Sequence, residues 1–201
     1  MIKKIKILVI VLSLLTSMGF LVIDSVGISD FKLKNTEGKI VSLSDYKEAK
    51  GFIIVFTCNH CPFAKLYPKR LNALNEKYAK LGVPLIAISS TDTTLYEEDS
   101  YFEMCRYAKK EKFNFPYLYD AEQKVAKTFN AQKTPHVYVI WKEKQKWVIK
   151  YNGAIDDNGM SPKEVKSQFV SGAVDELLAN KTVSVAETKS IGCQIYFREN
   201  K

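Results

Sequence analysis

Two cysteines separated by two residues, Cys58-Asn59-His60-Cys61, are the part of this sequence best suited to chemistry. A thiolate attacks a disulfide sulfur, and a second thiol three positions on can resolve the mixed disulfide into an intramolecular one. The apolar run at residues 51–57 (GFIIVFT) ends at Cys58, and Phe63, Leu66, Tyr67, Leu71, Leu74, Tyr78 and Leu81 then recur at helical spacing. Cys58 is therefore expected at the end of a buried strand, with Cys61 in the first turn of a helix. Unpaired N–H groups and the helix dipole there should hold the Cys58 thiol below its free pKa of about 8.5. An imidazole at His60 would also favour the thiolate, and with it the reduced form. Half of a zinc site has the same C-x-x-C spacing, but no second C-x-x-C or H-x-H cluster completes tetrahedral coordination. A redox pair without metal or cofactor is the reading that follows.

Alternating strands and helices must position this pair. A short hairpin is expected around Glu37-Gly38, and residues 51–57 and 83–88 read as strands buried on both faces. Pro68 should kink the helix that carries Cys61, because it removes a backbone donor and crowds the carbonyl of Ala64. Ser100-Tyr101-Phe102-Glu103 is a capping box before an apolar face of Tyr101, Met104, Cys105 and Ala108. Residues 117–119 are a short strand, and Asp120 can cap a helix carrying Val125 and Phe129. Residues 136–141 and 147–151 bracket a polar turn at 142–146 as an antiparallel hairpin, and Ser161-Pro162-Lys163-Glu164 reads as the start of a last helix carrying Val165, Phe169, Ala173 and Leu177. Strand-helix-strand units followed by a hairpin and a helix imply an α/β fold, a mixed sheet with helices on both faces.

The first 27 residues differ from the rest. Lys3, Lys4 and Lys6 precede a run at residues 7–23 without a charge, which reads as an export signal or a short membrane anchor. The globular part, residues 28–201, is exported in either case, to the periplasm or to the outer face of a membrane. The formal charge of +8 falls to about +6 without those residues, and the remaining lysines alternate with acids along the helices. That pattern is a solvated surface and argues against nucleic-acid binding.

Cys58-Asn59-His60-Cys61-Pro62, Thr134-Pro135 before a strand, and the order of elements resemble the thioredoxin superfamily, and within it the redoxin branch related to alkyl hydroperoxide reductase and thiol-specific antioxidant. The phrases Tyr96-Glu97-Glu98-Asp99-Ser100, Phe115-Pro116-Tyr117-Leu118 and Ile191-Gly192-Cys193 are similar to a little-characterised group of that branch. The resemblance implies a three-layer α/β/α sandwich with a redoxin-type insertion between the C-x-x-C and a cis proline at Pro135. It also implies that Cys58 attacks and Cys61 resolves, that Asn59 and Pro62 border the substrate, and that Thr134 offers backbone groups to an extended substrate strand. The implied partners are protein or small-molecule thiols and disulfides and a membrane or soluble redox partner.

Several positions depart from the relatives. Peroxiredoxins carry a Thr or Ser three residues before the peroxidatic cysteine and a Pro seven before it, where this chain has Val55 and Gly51. The buried acid and the Trp of thioredoxins are Phe52 and Thr57 here, and Lys133 stands where close relatives have a cysteine. Thiol-disulfide exchange is thus the first reading, with thiol peroxidase and metal-binding module as alternatives. His136 is expected to be structural. Cys105, on an apolar helical face, is expected to be inert unless it is bridged to Cys193.

Overall fold

The computed structural model describes residues 27–198. The export signal or anchor expected at residues 1–27 lies, but for Gly27, outside them. No helix among the described residues is long and apolar enough to cross a membrane.

The elements follow in the order β1 (Lys32–Asn35), β2 (Ile40–Ser42), β3 (Gly51–Phe56), α1 (Pro68–Tyr78), β4 (Leu85–Ser89), α2 (Tyr101–Lys110), β5 (Tyr117–Tyr119), α3 (Lys124–Phe129), β6 (Lys133–Thr134), β7 (His136–Glu143), β8 (Lys146–Gly153), α4 (Phe169–Leu178) and β9 (Cys193–Gln194). Seven strands form one mixed sheet in the order β2-β1-β5-β4-β3-β7-β8, and β6 and β9 pair separately. β3 lies inside the sheet, parallel to β4 and antiparallel to β7, and all six of its residues are buried. The sheet covers both of its faces, as the uninterrupted apolar run requires. Ile53 and Val55 pack with Leu71 and Leu74 of α1, Met104 of α2 and Val174 of α4. Phe52, Ile54 and Phe56 point the other way, onto Leu43 and onto Val125 and Phe129 of α3. This is the expected helix, sheet, helix sandwich.

The structure revises three element boundaries. Residues after Cys61 make a single 3-10 turn, Ala64–Leu66, and the α-helix begins at Pro68. Proline has no N–H to lose at the first helical position, so Pro68 opens the helix rather than kinking it from within. The hairpin between β7 and β8 closes on two residues, Lys144 and Gln145, both with positive φ (44° and 68°). That backbone suits the twist of a tight hairpin, and neither side chain announces it, since glycine and asparagine are the usual signals. The last helix starts at Phe169, not near Pro162. Val165 is extended, and residues 166 and 167 are tied to Asp157, whose Oδ1 accepts from the Lys166 N–H (3.0 Å) and whose N–H donates to the Ser167 carbonyl (3.1 Å).

Two features outside the sheet centre matter below. Arg70, at the start of α1, donates to Asp156 Oδ2 (2.7 Å) and to the carbonyls of Asn158 (2.9 Å) and Gly159 (2.6 Å), and stacks on Tyr67. This holds residues 156–159 beside the turn that follows the cysteines. Edge strand β8 is bridged by Ile28 at Trp147 and by Glu187 at Asn152.

Candidate active site

Only Thr57 separates Cys58 from β3, and the strand's burial carries the cysteine into the interior. Its side chain is 1 % exposed and that of Cys61 is 0 %. Both are free thiols, and the two side chains pack against each other. The Thr134–Pro135 peptide bond is cis and lies against them: Cys58 Sγ is 3.0 Å from Thr134 Oγ1, and Cys61 Sγ is 3.1 Å from the Thr134 carbonyl.

The electrostatics differ from the sequence expectation. Burial pushes the Cys58 thiol well up, and the Asp99 carboxylate adds to this. Cys61 is pulled down to about 4, chiefly by the hydrogen bond from Cys58, against its own burial, with smaller contributions from the Cys193 thiol and from the N–H groups of Ala64 and Cys193. The dithiol monoanion thus keeps its proton on Cys58 and its charge on Cys61. The expected lowering of Cys58 fails because several of the stabilising donors converge on the second sulfur. We expect one thiolate per reduced chain, seen by ultraviolet thiolate absorbance, to persist as pH is lowered until about 4 and to be missing at neutral pH in Cys61→Ser. A midpoint near the ordinary thiol value in the wild type would contradict this assignment.

His60 does not hydrogen-bond to Cys58. Its ring stacks on Tyr96 with centroids 3.8 Å apart, Nδ1 pairs with Asp99 Oδ2, and Nε2 is buried without a partner. Asp99 is fully buried and also accepts the backbone N–H groups of Asn59 (2.5 Å) and His60 (3.2 Å). It fixes the loop between the cysteines from 40 positions away. Asn59, expected to border the substrate, is turned inward instead. Its amide donates to the Glu98 carbonyl (2.7 Å) and accepts from the Tyr117 hydroxyl (3.1 Å), so both ends are used by the fold. Pro62 is exposed, in a surface with Phe63 and Leu66.

Thr134 does not present a free edge. Its strand, β6, pairs antiparallel with β9, Thr134 opposite Cys193. Cys193 packs on Cys58, Cys61 and Ala64, and its N–H lies 3.4 Å from Cys61 Sγ. The bridge left open between Cys193 and Cys105 has no support here, since both are free and Cys193 adjoins the C-x-x-C. His136 lies beside Tyr138, and burial lowers its pKa to about 4.

Sequence reasoning missed Asp99, Tyr96 and the placement of Cys193. The first two stand in the phrase Tyr96-Glu97-Glu98-Asp99-Ser100, which was a resemblance without a role. A sulfur of Cys58, a ring nitrogen of His60 and a carboxylate oxygen of Asp99 lie within 4.8 Å of one another, so these three residues have the donor set and spacing to hold a metal ion.

A groove of about 400 Å³ runs beside Pro135, lined among others by Phe63, Tyr67, Met160 and Ile191. Its far wall is the 156–159 segment that Arg70 anchors.

Comparison with known proteins agrees with this architecture. The chain is 24 % identical over 153 residues to the thiol-disulfide oxidoreductase ResA of Bacillus thuringiensis subsp. konkukian, covering 76 % of this chain and 75 % of that protein. The crystal structure of an uncharacterized conserved protein from Geobacillus kaustophilus superposes with a TM-score of 0.80 at 34 % identity, over 88 % of this chain and 93 % of that one. The exposed lipoprotein thioredoxin Etrx1 of Streptococcus pneumoniae strain TIGR4 shares the fold, with a TM-score of 0.54 at 20 % identity over 76 % of this chain and 99 % of that one. The AhpC/TSA family model matches residues 27–157, and on that match together with the thioredoxin-like sandwich the chain belongs to the AhpC/TSA family.

Proposed function

We propose that this protein is an extracytoplasmic thiol-disulfide oxidoreductase in which Cys58 and Cys61 cycle between dithiol and disulfide. The observation that carries the reading is the pair of free thiols packed together against Thr134, ahead of the cis Thr134–Pro135 bond. Cys61 is enclosed by Cys58, Cys193, Ala64 and Thr134, all of this chain, which suits an internal resolving thiol. Cys58 is then the attacking thiol. The contact between the two side chains gives its proton a path to Cys61 when a substrate disulfide arrives, so the charge that rests on Cys61 can be passed to the attacking atom.

The apolar groove beside Pro135, with exposed Phe63, Met160 and Ile191 on its lining, fits a partly unfolded or extended protein substrate better than a small polar one. Pro62 borders the same face. Residues 28–201 form the redox domain in this reading, and residues 1–27 are the export signal or membrane tether. The name of the pneumococcal neighbour, an exposed lipoprotein thioredoxin, is in keeping with work outside the cytoplasm. Small-molecule thiols, or a soluble or membrane redox partner, would recycle the pair.

Equilibration with glutathione buffers tests the reading. One Cys58–Cys61 disulfide should form, and because the reduced state carries a stabilised thiolate, its potential should lie above the thioredoxin value of about −270 mV. Failure of that pair to form at any potential would overturn the assignment.

Family membership keeps peroxide reduction as a second reading. Position 55, where a hydroxyl would orient the peroxide, is Val55, buried in β3 and paired with Ala87 and Val137. Peroxide consumption with a thiol donor should be orders of magnitude below about 10⁷ M⁻¹ s⁻¹, and a rate near that figure would favour the peroxidase. The grouping of Cys58, His60 and Asp99 favours a metal-binding role, which stoichiometric metal in the purified reduced protein would support.

A further inference from the structure

Cys193 is the one cysteine outside the C-x-x-C that touches it, and four independent features of the fold bring it there. β9 pairs with β6 so that Cys193 stands opposite Thr134. Gly192 allows the approach: a Cβ at that position would fall 2.0 Å from the Thr134 carbonyl oxygen, so a side chain there would push the strand away. Ile195 is buried in the core around Phe56 and Phe129, and its N–H donates to the Gln132 carbonyl (2.8 Å). The buried Gln123 then ties down the next residues, donating from Nε2 to the Tyr196 carbonyl (2.8 Å) and accepting from the Arg198 N–H (2.8 Å).

The result is three sulfurs in series. Cys58 and Cys193 both pack against Cys61, which is central and accepts the Cys193 N–H at 3.4 Å. Cys61 is fully buried and Cys58 nearly so, whereas Cys193 is half-buried and the most open of the three. β9 also occupies the backbone edge of Thr134 that the family resemblance would leave for a substrate strand.

We propose that Cys193 is a third redox cysteine, which takes over the disulfide from Cys58 as a Cys61–Cys193 bridge and so forms the port at which an external thiol partner exchanges with the protein. This rests on the Cys58–Cys61 pair as the exchanging dithiol. The Cys193 thiol, which burial holds protonated at rest, gives up its proton as its sulfur attacks Cys61 Sγ of the Cys58–Cys61 disulfide. The Cys61–Cys193 bond forms, the Cys58–Cys61 bond breaks, and the electron pair leaves on Cys58 Sγ, which takes up a proton in place of the one Cys193 gave up. No external oxidant or reductant is consumed, because the step moves one disulfide between two positions. A dithiol partner then attacks the more open sulfur of Cys193, releasing Cys61 and leaving a mixed disulfide on Cys193. The partner's second thiol resolves that bond, so the partner leaves oxidised and the three cysteines are left reduced.

The test is disulfide mapping by mass spectrometry on the full chain, acid-quenched and alkylated after equilibration with glutathione or dithiothreitol buffers, with Cys105→Ser as the control variant. In the wild type both Cys58–Cys61 and Cys61–Cys193 bridges should be found. Cys58→Ser, and equally Cys58→Ala, should form the Cys61–Cys193 bridge in oxidised buffer. Cys193→Ser should retain the Cys58–Cys61 bridge yet be reduced by dithiothreitol about tenfold or more slowly. If the Cys58 variants, folded by circular dichroism, give only free thiols or glutathione adducts, and Cys193→Ser is reduced as fast as the wild type, the third-cysteine role is overturned while the pair stands. If Cys193→Ser forms no Cys58–Cys61 bridge, the reading of the pair falls, and the relay with it.

Discussion

Cys61→Ser should accumulate covalent mixed disulfides with substrate proteins, and Cys58→Ser should lose exchange activity by three orders of magnitude or more, on the order of what removing a nucleophile costs. The first variant keeps the attacking sulfur and removes the one that resolves it. It also removes the acceptor that takes the Cys58 proton, so trapping should be slow at neutral pH and should quicken as pH rises, since burial and Asp99 both hold the Cys58 thiol up. The measurement is non-reducing electrophoresis of partners captured by each variant over a range of pH. Capture by Cys58→Ser and none by Cys61→Ser would exchange the two roles.

Asp99 carries the second large effect. Asp99→Ala would leave the N–H groups of Asn59 and His60 and a ring nitrogen without their acceptor inside the protein, at a cost of about 3 kcal/mol or more in unfolding free energy. Asp99→Asn keeps an oxygen for the backbone donors and removes the charge, so it should recover most of that stability. In a Cys61→Ser background it should also lower the Cys58 titration midpoint, by about one pH unit, because a neighbouring negative charge no longer opposes thiolate formation. Urea denaturation reads the first quantity and the pH profile of Cys58 alkylation reads the second. An unmoved midpoint would mean that Asp99 only shapes the loop.

The layout of the sheet is legible in the sequence because its strands are local patterns. The apolar run ending at Cys58 becomes β3 almost residue for residue, and Ser100 and Glu103 mark the start of α2, where the Glu103 N–H donates to Ser100 Oγ (3.4 Å). Thr134-Pro135 before a strand marks the place of the cis bond. What is not legible depends on contacts between distant positions. β9 is two residues long and has no periodicity to detect, so the approach of Cys193 to Cys61 comes from a pairing across 132 positions. Asp99 looks like one more acid in an acidic phrase until the fold places it under the loop between the cysteines. The helix dipole argument for Cys58 fails for a related reason: spacing places Cys61 in a helix, but the missing N–H of Pro68 shifts the α-helix start seven residues beyond it, and short contacts then decide where the charge rests.

Edge strand β8 has both of its ends occupied by non-adjacent parts of the same chain, by Ile28 at Trp147, and by residues 186–188, where the Asn152 N–H donates to Ala186 O and the Thr188 N–H donates to Asn152 O (3.0 Å each). An uncovered strand of this length invites pairing with a second molecule, the first step of aggregation. The carboxy-terminal segment that delivers Cys193 is therefore also a guard of the sheet margin. A chain cut back to the end of α4 would lose both at once, and proteolytic trimming of that tail should promote self-association through β8.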